Sequence, residues 1–295
     1  MQAQRIQVMF VPRKILEEKL KQLLADDVGL GDATVSAVVP SGLTAEGVVI
    51  AKEAGIVAGV EDAAILAESL CLGIKAEVVD GDEIYAGQVI LKISGNAQTI
   101  LTVERTLLNL ISRMSGIATM TRQLIKKLKN SGSKARIAAS RKTAPGLLYF
   151  DKKAVFIGGG DTHRLHLDDM ILIKDNHIRL AGSLEKAINR ARQHASFSKK
   201  IEVEVTCITD ALKAAEAGAD IVMLDNFSPA QIQEAVDLLK KAGLGHILLE
   251  VSGGINMNNF LEYATPGVNV ISLGELTHSV KALDVSLEIT RVDKS

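Results

Sequence analysis

Only two cysteines occur in the 295 residues, Cys71 and Cys207, far apart and without metal-ligand spacing. They offer no cysteine-based metal site and fit a reduced, cytosolic setting. An excess of charge of either sign is also missing. The 34 Lys and Arg face 35 Asp and Glu, a net charge of -1, whereas general binders of nucleic acid or membrane surfaces need a positive surplus. Any anion site must therefore be local. No run approaches the roughly eighteen apolar residues of a membrane span. The opening MQAQRIQVMFVPRK is too short and too interrupted for a signal peptide, so the expected location is the cytoplasm. What remains is 47% hydrophobic and 23% charged, the balance of a soluble globular enzyme. The length suits one large domain or two ordinary ones with a sizeable core.

Along the chain, Pro12 to Ala25 has apolar residues at Ile15, Leu16, Leu20, Leu23 and Leu24, the spacing of an amphipathic helix entered at a proline. From Thr44 to Ser94, short β-rich pieces alternate with glycine turns around one helix, Glu61–Leu72. GDEIYAGQVILKISG reads as strand, turn, strand. It has the rhythm of a biotinyl or lipoyl carrier but no lysine flanked for modification, so a shared hammerhead-like architecture is the better reading. A helical stretch, Leu101 to Leu128, follows. After Ala135 the apolar strands RIAAS, MILIK, IEVEV, DIVMLD, HILLEV and NVISLG recur. Helices are expected between the later ones, at Ser183–His194, Thr209–Ala217, Ser228–Lys241 and Met257–Ala264. Apolar strands alternating with helices indicate a parallel sheet covered by helices. Residues 135–275 are too few for the ~200–250 of a complete eight-fold barrel, so an open, abbreviated barrel is expected. A doubly wound sheet is the competitor. Candidate residues spread over several strand ends favour the barrel. AVFIGGG reads equally as a strand or a helix end.

The densest chemistry lies between Ser140 and Ile178, where SRKTAPG, GGGDTHR and ILIKDNHI place Arg141, Lys142, His163, Arg164 and Lys174 beside turn residues or strand ends. Fixed cations that converge on one pocket suit a small ligand with more than one negative charge. Other strand ends present Asp175, Glu204, Asp225 with Asn226, Ser252-Gly253-Gly254, and Gly274. Glu202 and Glu204 point to one side of their strand, with Glu204 nearer the mouth. SGGI and SLGELTHS, after the last two strands, are glycine turns that let a phosphate approach the backbone, with unpaired N–H groups expected from the helices that follow. GGGDTH lacks the third glycine and the helix of a dinucleotide loop. Its use is to deliver His163 and Arg164. His166 and His177 read as structural, and no further ligand completes a zinc site.

On these residues the chain resembles quinolinate phosphoribosyltransferases. Nine ordered motifs carry the resemblance: GLGDAT (29–34), ERTLLNLISRMSGIAT (104–119), SRKTAPG (140–146), GGGDTHR (158–164), LIKDNHI (172–178), EVEV (202–205), AGADIVMLDN (217–226), EVSGGI (250–255) and SLGELTHS (272–279). The resemblance implies an N-terminal α/β sandwich over residues 1–115, completed by the tail 276–295, and an open TIM-like α/β barrel over residues 116–275. It implies joining of quinolinate to phosphoribosyl pyrophosphate with loss of carbon dioxide. Arg141, Lys142, His163, Arg164 and Lys174 would bind quinolinate. Arg105 would come from the partner subunit of a homodimer, with assembly into hexamers left open. Glu204 and Asp225 would serve the ribose and Mg2+, Ser252, Gly253, Gly254 and Gly274 the phosphate, and Lys142, Glu204 and Asp225 the catalysis. Lys142 and His163 are both candidates to assist decarboxylation. One departure is Ala139-Ser140, where many relatives have an aspartate-threonine pair. The alternatives are a nicotinate phosphoribosyltransferase and a molybdenum-transport-associated relative, neither of which decarboxylates.

Overall fold

The computed structural model describes residues 11–293. Most of the segment read against a signal peptide (residues 1–10) lies outside them. The chain divides into two compact units, one of residues up to Thr119 together with Lys281 onward, the other Met120–Val280.

In the first unit, α1 (Arg13–Val28) begins at Pro12, whose carbonyl accepts from the amides of Ile15 and Leu16. Its inner face buries Leu16 and Leu20, one turn apart. A short helix not expected from the sequence, α2 (Ala33–Val38), starts where the Asp32 carboxylate accepts from the Val35 amide at 2.9 Å. There follow β1 (Thr44–Ala51), β2 (Gly55–Ile56), α3 (Val60–Ser69), β3 (Gly73–Ala76), β4 (Glu83–Ile84) and β5 (Val89–Asn96). β1 alternates buried and more exposed positions, with Val49 and Ala51 fully enclosed, the period-2 signature of a sheet with one face in the core. The sheet is antiparallel, in the order Val285–Asp293, β1, β5, β3, so the chain's final strand pairs along the whole of β1. In GDEIYAGQVILKISG, the two strands do not pair with each other: β4 pairs with β2, and β5 with β1. Gly87, at φ 85°, makes the turn between them. The long helix α4 (Ala97–Asn130) outruns its expected bounds at both ends.

The second unit contains β6 (Arg136–Ala139), α5 (Leu148–Gly158), β7 (Ile171–Ile173), α6 (Asp175–Ala181), α7 (Leu184–His194), β8 (Ile201–Val205), α8 (Ile208–Glu216), β9 (Ile221–Asp225), α9 (Pro229–Lys241), β10 (Leu248–Ser252), β11 (Val270–Leu273) and α10 (Glu275–His278). All six strands run parallel, in the order β6-β11-β10-β9-β8-β7. That order decides between the two architectures. It is the chain order rotated by one place, so the first strand lies beside the last, as it does when a parallel sheet curls toward closure. The ring is open between β6 and β7. Asp161 alone continues it past β6, through a bridge to Ala138. The architecture is therefore α/β, an N-terminal sheet domain followed by an incomplete barrel.

Sequence signals placed the later helices well. Ser183 caps α7, and Ser228 with Gln231 forms a capping box at α9 with Pro229 in its first turn. AVFIGGG proves to be a helix end, since α5 stops at Gly159 in the left-handed region (φ 94°). The expected helix over Met257–Ala264 shrinks to one 3-10 turn, Phe260–Tyr263. The side chains of Asn256 and Asn259 hydrogen-bond nearby backbone instead, offering those groups partners that compete with a helix.

Candidate active site

Alternate residues of the barrel strands point inward: Leu172 and Lys174, Glu202 and Glu204, Met223 and Asp225, Glu250 and Ser252, Ser272 and Gly274. In register, Asp225 sits level with Ser252, and Met223 level with both Glu204 and Glu250. At the carboxyl ends all of these but Glu202 line a cavity of about 690 Å³, together with Arg141, Lys142, His163 and Arg164. Eleven of the twelve residues to which the family resemblance gives a role meet there, whereas Asp175 and Asn226, also singled out at strand ends, do not line it. Arg105, the twelfth, is exposed on α4 in the N-terminal unit and is not among the residues lining this cavity.

The cations enter on loops. Arg141 and Lys142 follow β6, where the Ser140 hydroxyl accepts from the Lys142 amide (3.1 Å) and Thr277 donates to the Lys142 carbonyl (2.9 Å). Ser140 thus gives this loop local support despite the departure from the aspartate-threonine pair. Lys174 ends β7 and pairs directly with Glu204. The His177 ring accepts from the Lys174 amide at 2.9 Å, the structural use expected of it. Burial, followed by the charge of Arg141, pushes Arg164 below the ordinary arginine value. These like charges repel one another, and a bound anion would relieve that repulsion.

The glycine turns are required by their surroundings. Gly253 has φ 89°, and a Cβ there would stand 2.7 Å from the Asn226 amide nitrogen. A Cβ on Gly274 would meet the His278 ring at 2.9 Å. Asn226, itself left-handed at φ 60°, donates to Asp225 at 2.7 Å. The flanking helices contribute less than expected. Only the single turn of α10 follows Gly274, and no helix follows Gly254 directly. The groups these turns offer to an anion are therefore mainly their own backbone amides.

Below the cavity lies a buried charged cluster that the sequence pattern did not bring together. His163 Nε2 lies 3.1 Å from Glu250 and 3.4 Å from Glu202, both carboxylates being buried. Burial resists charge on the imidazole, yet hydrogen bonds to Glu202 and Glu250 outweigh it and push the His163 pKa up to about 10. Burial pushes Glu202 up as well. The Arg164 amide lies 2.7 Å from His163 Nδ1, so both ring nitrogens face protein groups. Two groups of three potential metal ligands exist among the described residues: this cluster, and the exposed set His166, Asp168 and Asp169. Asp169 already accepts from the amides of Leu165 (2.5 Å) and His166 (3.1 Å). A glutamate facing inward from an otherwise apolar strand, as in LLEV, was the signal that could have revealed Glu250.

An open parallel barrel with converging cations at its early strands and glycine turns at its last two defines an α/β-barrel enzyme that takes anionic, phosphorylated ligands. Family models narrow this. Residues 32–115 match the quinolinate phosphoribosyl transferase N-terminal domain, and residues 117–288 match its C-terminal domain. The chain belongs to the quinolinate phosphoribosyltransferase family. It is 49% identical over 276 residues to a Methanocaldococcus jannaschii protein named "Probable nicotinate-nucleotide pyrophosphorylase (carboxylating)", covering 92% of this chain and 96% of that one. A namesake from Methanothermobacter thermautotrophicus is 47% identical over 271 residues, covering 92% and 97%. The solved nicotinate-nucleotide pyrophosphorylase of Francisella tularensis superposes with a TM-score of 0.85 at 38% identity, covering 95% and 98%.

Proposed function

We propose that the protein transfers the phosphoribosyl group of phosphoribosyl pyrophosphate to quinolinate and releases carbon dioxide, yielding nicotinate mononucleotide and pyrophosphate. The observation that carries this reading is the meeting of Arg141, Lys142, Arg164 and Lys174 with Glu204 and Asp225 in one cavity of a chain from this family. Both substrates are polyanions, and the cations offset their mutual repulsion. Charge-assisted hydrogen bonds of about 1.5–3 kcal/mol each hold the two carboxylates and turn the ring nitrogen toward the anomeric carbon. The turns at Gly253, Gly254 and Gly274, with Ser252, receive the phosphate end.

As pyrophosphate departs, positive charge grows on the ribose, facing Glu204 and Asp225. The cationic, ribosylated ring nitrogen then stabilises the electron pair left on the adjacent ring carbon as carbon dioxide departs, and a proton delivered to that carbon completes the step. Lys142, rather than His163, is the group placed to return a proton, because protein groups hold both ring nitrogens of His163. Glu204 and Asp225 are hard oxygen donors that suit Mg2+. They form no three-ligand cluster among the described residues, so they would hold the ion jointly with substrate phosphates. When bound, Mg2+ would neutralise the leaving pyrophosphate.

A nicotinate phosphoribosyltransferase or a molybdenum-transport relative would have no second pyridine carboxylate to bind, and four cations suit two carboxylates better than one. The deciding assay is carbon dioxide release with quinolinate against turnover with nicotinate. Release confined to quinolinate is expected, and turnover of nicotinate alone would reject the reading. The family also suggests a homodimer in which Arg105 completes the partner's cavity. Arg105→Ala mixed with Arg141→Ala should regain part of the lost activity, and absence of any rescue would count against a shared site. No described helix is long and apolar enough to cross a membrane, and both cysteines are free, in keeping with a cytoplasmic enzyme.

A further inference from the structure

Residues 161–166 form a short irregular turn with unusually many fixed groups. Asp161 is stitched to β6 by its amide to the Ile137 carbonyl (2.8 Å) and its carbonyl to the Ala139 amide (3.0 Å). Its carboxylate accepts from the His163 amide at 2.8 Å. Lys152, wholly buried on α5, donates to the Thr162 carbonyl. His163 sits in the left-handed region, at φ 52°. Its ring is tied to Glu250 on β10 and Glu202 on β8, and its Nδ1 accepts from the amide of Arg164. Four elements thus converge on one turn, β6 through backbone hydrogen bonds and α5, β8 and β10 through the buried Lys152, Glu202 and Glu250. Buried charges and a left-handed histidine are both costly, and such features persist where the surroundings over-determine a functional geometry.

We propose that Lys152, Glu202 and Glu250 are positioning residues, which clamp the Asp161–Arg164 turn through Thr162 and His163 and so aim the Arg164 guanidinium into the cavity. His163 is then a strut between the carboxylates and the Arg164 backbone as well as part of the cavity lining. The proposal deepens the functional reading above and rests on it for the identity of the anion that Arg164 meets. It assigns roles to residues lying one layer below the cavity wall or at its floor.

The test uses Lys152→Met, which keeps the stem's volume and removes the buried ammonium, so loss of folding is not expected. Its thermal midpoint at pH 7 should be no lower than that of the unaltered protein, while KM for quinolinate rises about tenfold or more and KM for phosphoribosyl pyrophosphate stays close to its original value. A merely structural lysine would not split the two constants this way. In an Arg164→Ala background, Lys152→Met should add nothing further. Glu250→Gln, which keeps an acceptor for His163 Nε2, should hold the turn, whereas Glu250→Leu should release it. Amide hydrogen exchange over residues 159–166 reads the clamp without any turnover, with faster exchange expected in Lys152→Met and Glu250→Leu. Unchanged exchange in both, or full additivity with Arg164→Ala, overturns the clamp even if the unaltered enzyme decarboxylates quinolinate. An enzyme that fails to decarboxylate rejects the functional reading instead, and the exchange result still decides the clamp.

Discussion

In the N-terminal unit the interior is almost wholly apolar, and Asp62 is the one buried ionisable side chain among its described residues, whereas the barrel unit buries Asp151, Lys152, Lys153, Glu202 and Glu250. Both units have ample hydrophobic core, so the difference does not come from a shortage of apolar residues. A sheet whose task is to pack can leave its charges in solvent. A barrel that must fix polar groups around a cavity takes charged groups inside and loses stability by it. Where the buried charges lie is therefore a guide to where geometry matters most.

The contrast is tested most severely at the cavity wall. Arg141→Ala or Lys174→Ala should raise KM for quinolinate roughly 10- to 100-fold, the worth of one charge-assisted hydrogen bond, with the folded fraction unchanged by circular dichroism. Near-normal turnover would break the assignment.

The next effect concerns stability. Burial pulls the Lys152 pKa down to about 8, with the nearby Asp161 carboxylate opposing that pull. A lowered base is less protonated in the folded chain than in the unfolded one between pH 8 and the ordinary lysine value near 10.5, so its contribution to stability rises with pH across that window. Below pH 8 the full cost of the buried ammonium is present. Relative to the unaltered protein, Lys152→Met should therefore fare best near and below pH 7, where the variant is spared the cost of the buried ammonium. That advantage should shrink as pH climbs through 8 toward 10, as measured by denaturant unfolding.

The smallest effect compares two glycines with similar backbones. Gly87, at φ 85°, has nothing within 4 Å of the place a methyl group would occupy, whereas Gly253, at φ 89°, faces the Asn226 backbone. Gly87→Ala should cost only the left-handed penalty of about 1–2 kcal/mol and leave KM alone. Gly253→Ala should cost more than that, because its methyl group would overlap the Asn226 backbone, and should also weaken binding of phosphoribosyl pyrophosphate through displacement of Asn226 and Asp225. Equal kinetic effects at the two sites would erase the distinction between the units.

Much of the barrel was legible because its strands are buried on both faces and read as continuous apolar runs. The cavity residues were legible because they follow those runs at turn glycines and strand ends. Other features depend on tertiary contacts that periodicity does not carry. The helix α6 has no buried residue at all, so no apolar stripe announced it. Asn256, Asn258 and Asn259 looked compatible with a helix, yet the side chains of Asn256 and Asn259 bond the local backbone instead. Lys152 and Lys153, adjacent in a helix, are both enclosed, which no apolar period announces. His163 was legible as a cavity residue, but the carboxylates that occupy its ring come from strands some forty and ninety positions further on.

The pairing of Val285–Asp293 along β1 has a consequence for how the molecule is made. During synthesis, the antiparallel sheet must wait for its outermost member until the whole barrel has been added, so every strand of the barrel is already available by then. The portion translated first is thus completed last. Until then β1 presents an unsatisfied hydrogen-bonding edge, the kind of surface that invites association between nascent chains.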